Sequence, residues 1–412
     1  MRNKNFIIIV IGQIISLLGN AIQRFSMSLY LLEITNSTAA FARILAISTI
    51  PYIIFAPIAG VLSDNVNRKK IMVYLDFISF ILIGIYALIL FQGKDSELII
   101  GIVMFLLSAT YTLYGPAVTA SIPQVVEASQ LSRANAIISQ VGGVVNFLGP
   151  VLAGMIFGVF GIKVIVVINA ISFLISGVME LFLDIPDINI DTTKERSKLG
   201  KFLKSTVIDM KETLVYLKNN NRTVLHIIMS YALCNIFLVP ILSIVAPFFI
   251  NIHLGLPSTI YGIVEGVSVL GMIIGGIVIT LKSELFKIEK LHFSYIPMIL
   301  GVVILTIIAF IEGNNYILAA IFAMAGLAIM LSLSLSNILT LTYIQTAIPK
   351  EMHGRTAALS TAVATISIAP GQILFGWIID LGIDLGVILF IITIANIGLF
   401  IFIKWIIKDI VK

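Results

Sequence analysis

Arg24, Asp76 and Glu265 sit inside long apolar runs, with Arg43 and Glu180 nearer the ends of theirs. An ionised side chain is costly in hydrocarbon, so each is a candidate for function. A carboxyl kept from water holds its proton more tightly, which suits it to load and release one near neutral pH. Glu265 is the first such candidate and Asp76 the second; a structural hydrogen bond or a water-exposed edge is the other reading of Glu265. At roughly 1.5 Å per residue, Glu265 lies about 12 Å past the outer start of its run. Arg24 is either the partner of an acid, with Glu265 the one to test, or a fixed charge acting on substrate. Gln13, Phe25, Tyr111, Asn146, Tyr231, Asn235, Asn337 and Gln372 combine polar and aromatic character. Facing a common cavity, they would suit an amphipathic solute.

Other chemistries find no residues. The four His (His226, His253, His292, His353) are not at ligand spacing, and the sequence holds neither His-Glu-x-x-His nor Gly-x-x-x-x-Gly-Lys-(Ser/Thr). Cys234 stands alone in an apolar run, where it reads as packing. No metal and no cofactor is expected, and a membrane-embedded enzyme or an ATP-driven pump is disfavoured.

The elements that must position these residues are apolar throughout. Of 412 residues, 59% are hydrophobic and 11% charged, and the mean hydropathy is +1.10. Soluble domains carry roughly a quarter charged residues. About twelve runs are long enough to cross a bilayer, at 6–33, 40–63, 71–92, 98–122, 134–160, 162–183, 224–250, 257–281, 291–311, 316–347, 355–380 and 384–406. The apolar character of the first run continues past Arg24, which argues against a cleaved signal peptide. The net charge of +5 is spread in small clusters between runs, a pattern of membrane topology rather than nucleic-acid binding. With the N-terminus inside, all of the 26 Lys and Arg except Arg24, Arg43, Lys94 and Lys163 fall in or beside cytoplasmic segments. Both termini are therefore expected in the cytoplasm of a multi-pass protein of the cell membrane.

The longest polar stretch divides the chain into an N-terminal bundle at 1–184, a linker at 185–222 and a C-terminal bundle at 223–412. Within the linker, Leu199, Phe202, Leu203, Val207, Met210, Leu214 and Leu217 recur at near-helical spacing among lysines. An amphipathic helix on the inner membrane surface fits this spacing, with a disordered tether as the alternative. The halves echo each other faintly. Arg133, Gly149-Pro150 to Gly154 and Phe160-Gly161-Ile162 return as Arg355, Ala369-Pro370-Gly371 to Gly376 and Leu381-Gly382-Ile383. All-α architecture, with two pseudo-symmetric bundles of about six spans each, is the expected fold.

A charged hinge, Gly60-Val-Leu62-Ser-Asp64-Asn65-Val-Asn67-Arg68-Lys69-Lys70, separates the second and third runs. Gly60 is expected to allow close helix approach, Asp64 to mark a helix end, and the basic cluster to start the next run. This segment resembles the loop between the second and third spans of the major facilitator superfamily, Gly-x-Leu-(Ala/Ser)-Asp-Arg-x-Gly-Arg-Lys. Gly60, Leu62, Asp64, Arg68 and Lys69 match, whereas Asn65 stands for the usual Arg. Asn67 stands for the usual Gly and is expected to tolerate its left-handed turn. Gly149, Pro150 and Gly154 resemble the antiporter motif that exporters of this superfamily carry in the fifth span, with one following Gly where two are usual.

Further segments are similar to the macrolide-efflux branch of that superfamily: Ile15 to Asn20 with Leu32 to Ser37, Gly115-Pro116-Ala117 to Ala136, Glu265 before Gly271 and Gly275-Gly276, and Gln345 to Pro349 with Gly354-Arg355. The branch often has Asp where Asn20 stands, so a proton-carrying role does not transfer there. The resemblance implies a monomeric, proton-coupled exporter of amphipathic small molecules or drugs, working by alternating access. It also implies that Asp64 engages positive partners near the cytoplasmic side, Arg133 and the helix start at Gly354-Arg355 among them. A lipid, siderophore or nutrient carrier of the same fold, or a membrane sensor that does not transport, are the other functions considered.

Overall fold

In the computed structural model, residues 4–127, 130–185, 198–281, 288–349 and 352–411 are described, and no strand occurs among them. The helices are α1 (Lys4–Thr35), α2 (Thr38–Asn65), α3 (Arg68–Phe91), α4 (Glu97–Val125), α5 (Leu131–Glu180), α6 (Lys198–Asn220), α7 (Arg222–Phe237), α8 (Ser258–Leu281), α9 (Ile296–Ala309), α10 (Asn315–Ala347), α11 (His353–Asp380) and α12 (Leu385–Val411). Eleven helical segments among the described residues are long and apolar enough to cross a membrane. One of them lies in the 50-residue α5, which would reach about 75 Å if straight, far beyond a hydrocarbon core of about 30 Å. It breaks at Gly161, whose φ of 70° and ψ of −178° only glycine adopts without strain. The arms 131–160 and 162–180 are the fifth and sixth runs of the sequence.

The chain forms two compact units, Met1–Thr35 with Ile47–Lys204, and Asn36–Ala46 with Ser205–Lys412. The division falls inside α6, in the segment read as a linker. In the first unit α1 and α3 both pack on α5, and α4 packs on α3. A core of Phe6, Ile9, Met72, Leu75, Ala117, Ile122 and Leu183 closes one end of it. In the second unit α10 packs on α8 and α9, and α11 on α7.

The internal echo has a structural counterpart in each unit separately. A Cβ on Gly149 of α5 would lie 2.8 Å from the Cβ of Ala21 on α1, and one on Gly371 of α11 would meet the backbone of Ile236 on α7. Pro150 and Pro370 sit inside their helices, and Gly161 and Gly382 close them at φ 70° and 75°. Small residues let helices approach closely where no water drives their association.

The hinge at 60–70 differs from expectation in two respects. Asn67 has φ −52° and is not left-handed; its side-chain oxygen accepts from the Lys70 N–H and caps α3. A Cβ on Gly60 would meet nothing within 4 Å among the described residues, so no close helix approach is seen there. Leu62 packs on the first unit's core, and Arg68 Nε donates to the Ser63 carbonyl at 3.0 Å. Lys69 is half-exposed. The side-chain surroundings at Asp64, Arg133, Asn146 and Gly354 lie outside the described residues, as do 186–197 of the linker and 282–287.

The linker helix forms. Thr213 and Leu217 are fully buried, and Leu217 packs with Val224, Ile228, Ile344 and Leu359 of the second unit, while Ile208, Leu214 and Val215 are exposed. Arg355 pairs with Glu212 of this helix at 3.5 Å, an exposed contact worth little by itself. The seventh run continues past α7 as π-helical turns at Ile241–Val245 and Phe248–His253, each directly after a proline, Pro240 or Pro247. A proline removes an N–H donor, and the wider turn takes up the displaced ladder.

Candidate functional site

A polar stripe runs along α1 where it faces the 162–180 arm of α5. Gly12, Ser16, Gly19 and Gln23 recur three or four residues apart, which places them on one face. Opposite them stand Asn169, Ser176 and Glu180. Gln23 Oε1 accepts from Asn169 Nδ2 at 3.2 Å. Ser16 Oγ lies 2.9 Å from Ser176 Oγ, and Ser176 donates to the Gly12 carbonyl at 3.3 Å. Gly12 eases this approach, since a Cβ there would sit 3.3 Å from Glu180 Oε1 and the carboxyl would have to give by a few tenths of an ångström.

Two carboxyls enter this stripe from its sides. Asp76 of α3 is 2% exposed, and Ser16 Oγ donates to it, with 2.9 Å to Oδ2 and 3.1 Å to Oδ1. Glu180 is 0% exposed, and Tyr114 of α4 donates its hydroxyl to Oε1 at 2.5 Å. The other oxygen, Oε2, is buried with no hydrogen-bond partner. Beside Asp76 lies a cavity of about 20 Å³, room for about one water, lined by Ser16, Asn20, Asp76, Thr110, Tyr111 and Tyr114 among others. The sequence singled out Asp76 and Tyr111 but treated Glu180 as a span-end charge. The missed signal was the spacing Ser176 to Glu180 set against Gly12 to Ser16, two i, i+4 pairs of small and polar residues.

Arg24 of α1 is exposed and lies against Tyr52, whose ring meets that of Tyr111 edge to face at 5.8 Å. Its neighbours in the first unit are thus aromatic. Gln13 is buried on α1 with Oε1 unpartnered, and Phe25 is half-buried.

In the second unit a cavity of about 340 Å³ opens between α7, α10 and α11. It is lined by Tyr231, Asn235 and Asn337, three residues picked out in the sequence, and by Cys234, Tyr295, Ser336, Thr361 and Thr365. Tyr231 donates to the Asn337 carbonyl at 3.3 Å and Asn235 Nδ2 to the Ala364 carbonyl at 2.9 Å, so both are held in place. Among the described residues, no charged side chain lines this cavity. Such a site offers aromatic faces and neutral hydrogen-bonding groups, which fits a solute with both apolar and polar parts. Gln372, also picked out, is not among the lining residues; it donates to Ser243 at 3.2 Å and keeps Oε1 buried and unpartnered. Glu265 of α8 is half-buried, with Oε2 buried and unpartnered. No group of three or more His, Cys, Asp or Glu able to hold a metal occurs among the described residues.

Comparison with known proteins bears on these sites. The family model of the Major Facilitator Superfamily matches residues 9–372. Macrolide efflux protein A of Streptococcus pyogenes is 25% identical over 368 residues, 88% of this chain and 86% of that protein. An uncharacterized MFS-type transporter of Bacillus subtilis, YvqJ, is 22% identical over 379 residues, 91% and 86% of the two chains. Among solved structures, a point mutant of the peptide transporter POT superposes with a TM-score of 0.76 at 12% identity, covering 99% of this chain and 95% of that one. A bacterial homologue of the iron transporter ferroportin gives 0.71 at 16% identity, covering 98% and 99%.

Proposed function

We infer that this chain, which belongs to the Major Facilitator Superfamily, is a proton-coupled exporter of amphipathic small molecules, with macrolide-like drugs the substrate class to test first. The observation that carries the substrate class is the uncharged cavity of the second unit, where Tyr231, Asn235 and Asn337 meet. The similarity to macrolide efflux protein A along 88% of the chain supports outward transport of such a solute.

Coupling to protons is supported by carboxyls within apolar spans, Asp76 in the first unit and Glu265 in the second, since ionised carboxyls are costly there and their protonation changes with access to water. Alternating access would place the two bundles, 1–184 and 223–412, on either side of the substrate path, with the linker 185–222 between them. Gly60, Leu62, Asp64, Arg68 and Lys69 of the hinge, with Arg133, Gly149, Pro150, Gly154, Gly354 and Arg355, would set which side is open. Lys and Arg placement supports cytoplasmic termini.

The test is flux in proteoliposomes loaded with erythromycin as the macrolide probe, with and without an imposed pH gradient. Gradient-driven erythromycin movement is expected in the wild type. In Glu265→Gln it is expected to fall about tenfold or more while downhill exchange persists, because Gln resembles the protonated carboxyl but cannot release its proton. Gradient-driven flux equal to wild type in that variant would remove Glu265 from coupling. Absence of any erythromycin flux in the wild type would overturn the substrate class.

A further inference from the structure

We propose that Asp76 and Glu180 are one proton-binding site, a carboxyl pair packed against the Gly12–Ser16 turn of α1 in the first unit that shares a dissociable proton. The proposal rests on the reading of proton coupling above and adds Glu180, with its positioning partners, to it.

The geometry is specific. Asp76 from α3 and Glu180 from α5 are both buried against one turn of α1: Ser16 donates to Asp76 and lies 2.9 Å from Ser176, and a Cβ on Gly12 would lie 3.4 Å from Ser176 Oγ and 3.3 Å from Glu180 Oε1. Tyr114, which donates to Glu180, also lines the small cavity beside Asp76. Each packed element contributes a defined group. From α1 come Ser16 and the Gly12 carbonyl, from α4 the Tyr114 phenol, and from α5 Ser176 and Glu180. None of these groups is cationic, and among the described residues no Lys, Arg or His makes a hydrogen bond or ion pair with either carboxyl.

Two carboxylates buried side by side without a cation repel each other and lack the solvation that would stabilise either. The pair therefore retains at least one proton. The orphaned Oε2 of Glu180 is the second, independent observation. A buried carboxyl oxygen without a donor or an acceptor is a position whose hydrogen-bond demand changes with protonation. The water-sized cavity touching Asp76 and Tyr114 supplies the exit. On loading, a hydronium ion there gives up its proton and becomes water as an O–H bond forms on one carboxyl oxygen; on release that bond breaks and water takes the proton as hydronium. No oxidation or other reactant is involved. Because the two groups interact, the proton belongs to the pair and not to one residue.

Ser16 and Ser176 act as positioning residues: Ser16 holds Asp76, and Ser176 ties the α5 arm to the Gly12 carbonyl of α1 one turn before Glu180. Tyr114 fixes Glu180 Oε1 and leaves Oε2 without a partner, so exchange with water runs on the Asp76 side of the pair, where the cavity lies.

The test reads proton occupancy directly and needs no transport substrate. Infrared difference spectra of the purified full-length protein in lipid are recorded across a pH titration, following the C=O stretch of protonated carboxyls. Wild type is expected to keep a protonated-carboxyl band at neutral pH that is lost on raising the pH. Asp76→Asn and Glu180→Gln are each expected to shift the midpoint of that loss and not merely to subtract an independent band. Ser176→Ala, which keeps both carboxyls, should move the midpoint too, whereas Glu312→Gln on an exposed connection should not. Two additive, independent bands in the single variants, or no change in any of them, would overturn the pair. A midpoint that moves with sodium chloride against choline chloride at fixed ionic strength would make the site a sodium site and overturn it as a proton site. A pH-dependent band as described, together with absent erythromycin flux, would leave the pair standing and remove only the substrate class.

Discussion

Gly271→Leu is expected to leave no correctly folded protein to purify. A Cβ at Gly271 of α8 would overlap the backbone carbonyl of Leu327 on α10 and sit 3.0 Å from the Leu331 nitrogen. Backbone cannot swing aside as a side-chain tip can, so even alanine forces α8 and α10 apart. Overpacking of this kind costs about 1–3 kcal/mol and more when neither helix can shift. A Cβ at Gly275, one turn on, would lie 2.8 Å from Ser334 and 3.0 Å from the Leu331 carbonyl, so the contact runs along the helix pair and cannot be relieved locally. Gly276 is the control. A Cβ there meets nothing within 4 Å, and alanine should be neutral or stabilise by about 0.5–1 kcal/mol through helix propensity. Size-exclusion profiles and thermal unfolding in detergent measure both. A monodisperse Gly271→Leu protein melting with the wild type would mean that α8 and α10 do not touch as described.

Asn337→Leu is expected to abolish extrusion of a macrolide while leaving yield and melting temperature unchanged. The substitution removes an amide from the wall of the 340 Å³ cavity and replaces it with an apolar group of similar bulk. A single well-made hydrogen bond is worth about 0.5–1.5 kcal/mol, up to roughly tenfold in affinity. An unmatched polar group of the solute facing leucine adds its own desolvation, so the loss should exceed that of Tyr231→Phe, which removes only the hydroxyl that donates to the Asn337 carbonyl. Drug sensitivity of cells expressing each variant, with erythromycin as the probe, reports the order. Wild-type extrusion by Asn337→Leu would show that substrate does not use this cavity.

The sequence made the spans legible because hydrocarbon leaves few choices: every backbone polar group must be paired within its own helix, so each crossing is an uninterrupted apolar run. Even the turn inside α5 was visible, since Gly161 separated two runs that the helix joins. The two glycine-proline segments were also legible as an echo, and the structure gives Gly149 and Gly371 like tasks against Ala21 and Ile236.

What was not legible depends on which neighbour a face meets. Glu180 looked like a charge at the edge of a run because linear position cannot show that Tyr114 and Gly12 enclose it. Asn67 was read through the glycine it replaces, but an asparagine before a helix can also accept from an N–H of the first turn, and that is what it does. The spacing in α6 signals a helix with an apolar side and is silent on whether lipid or protein covers that side; Leu217 is covered by protein. Of the residues picked for a solute, Tyr231, Asn235 and Asn337 converge because they share facing sides of α7 and α10, whereas Gln372 is engaged with Ser243.

Cys234 is the only cysteine of the chain, and it lines the larger cavity with its Sγ 4.0 Å from the Tyr295 hydroxyl. The protein therefore carries a built-in chemical reporter at the place where occupancy matters. Cys234 is only 2% exposed, so a small neutral maleimide should label it slowly, and a single mass increment marks each molecule whose cavity has opened to water. Labelling should slow as erythromycin is added, in proportion to the fraction of cavities filled. A dissociation constant can thus be read by mass spectrometry from unmutated protein, without a cysteine-free background. Labelling that proceeds at one rate at every drug concentration would place the drug elsewhere.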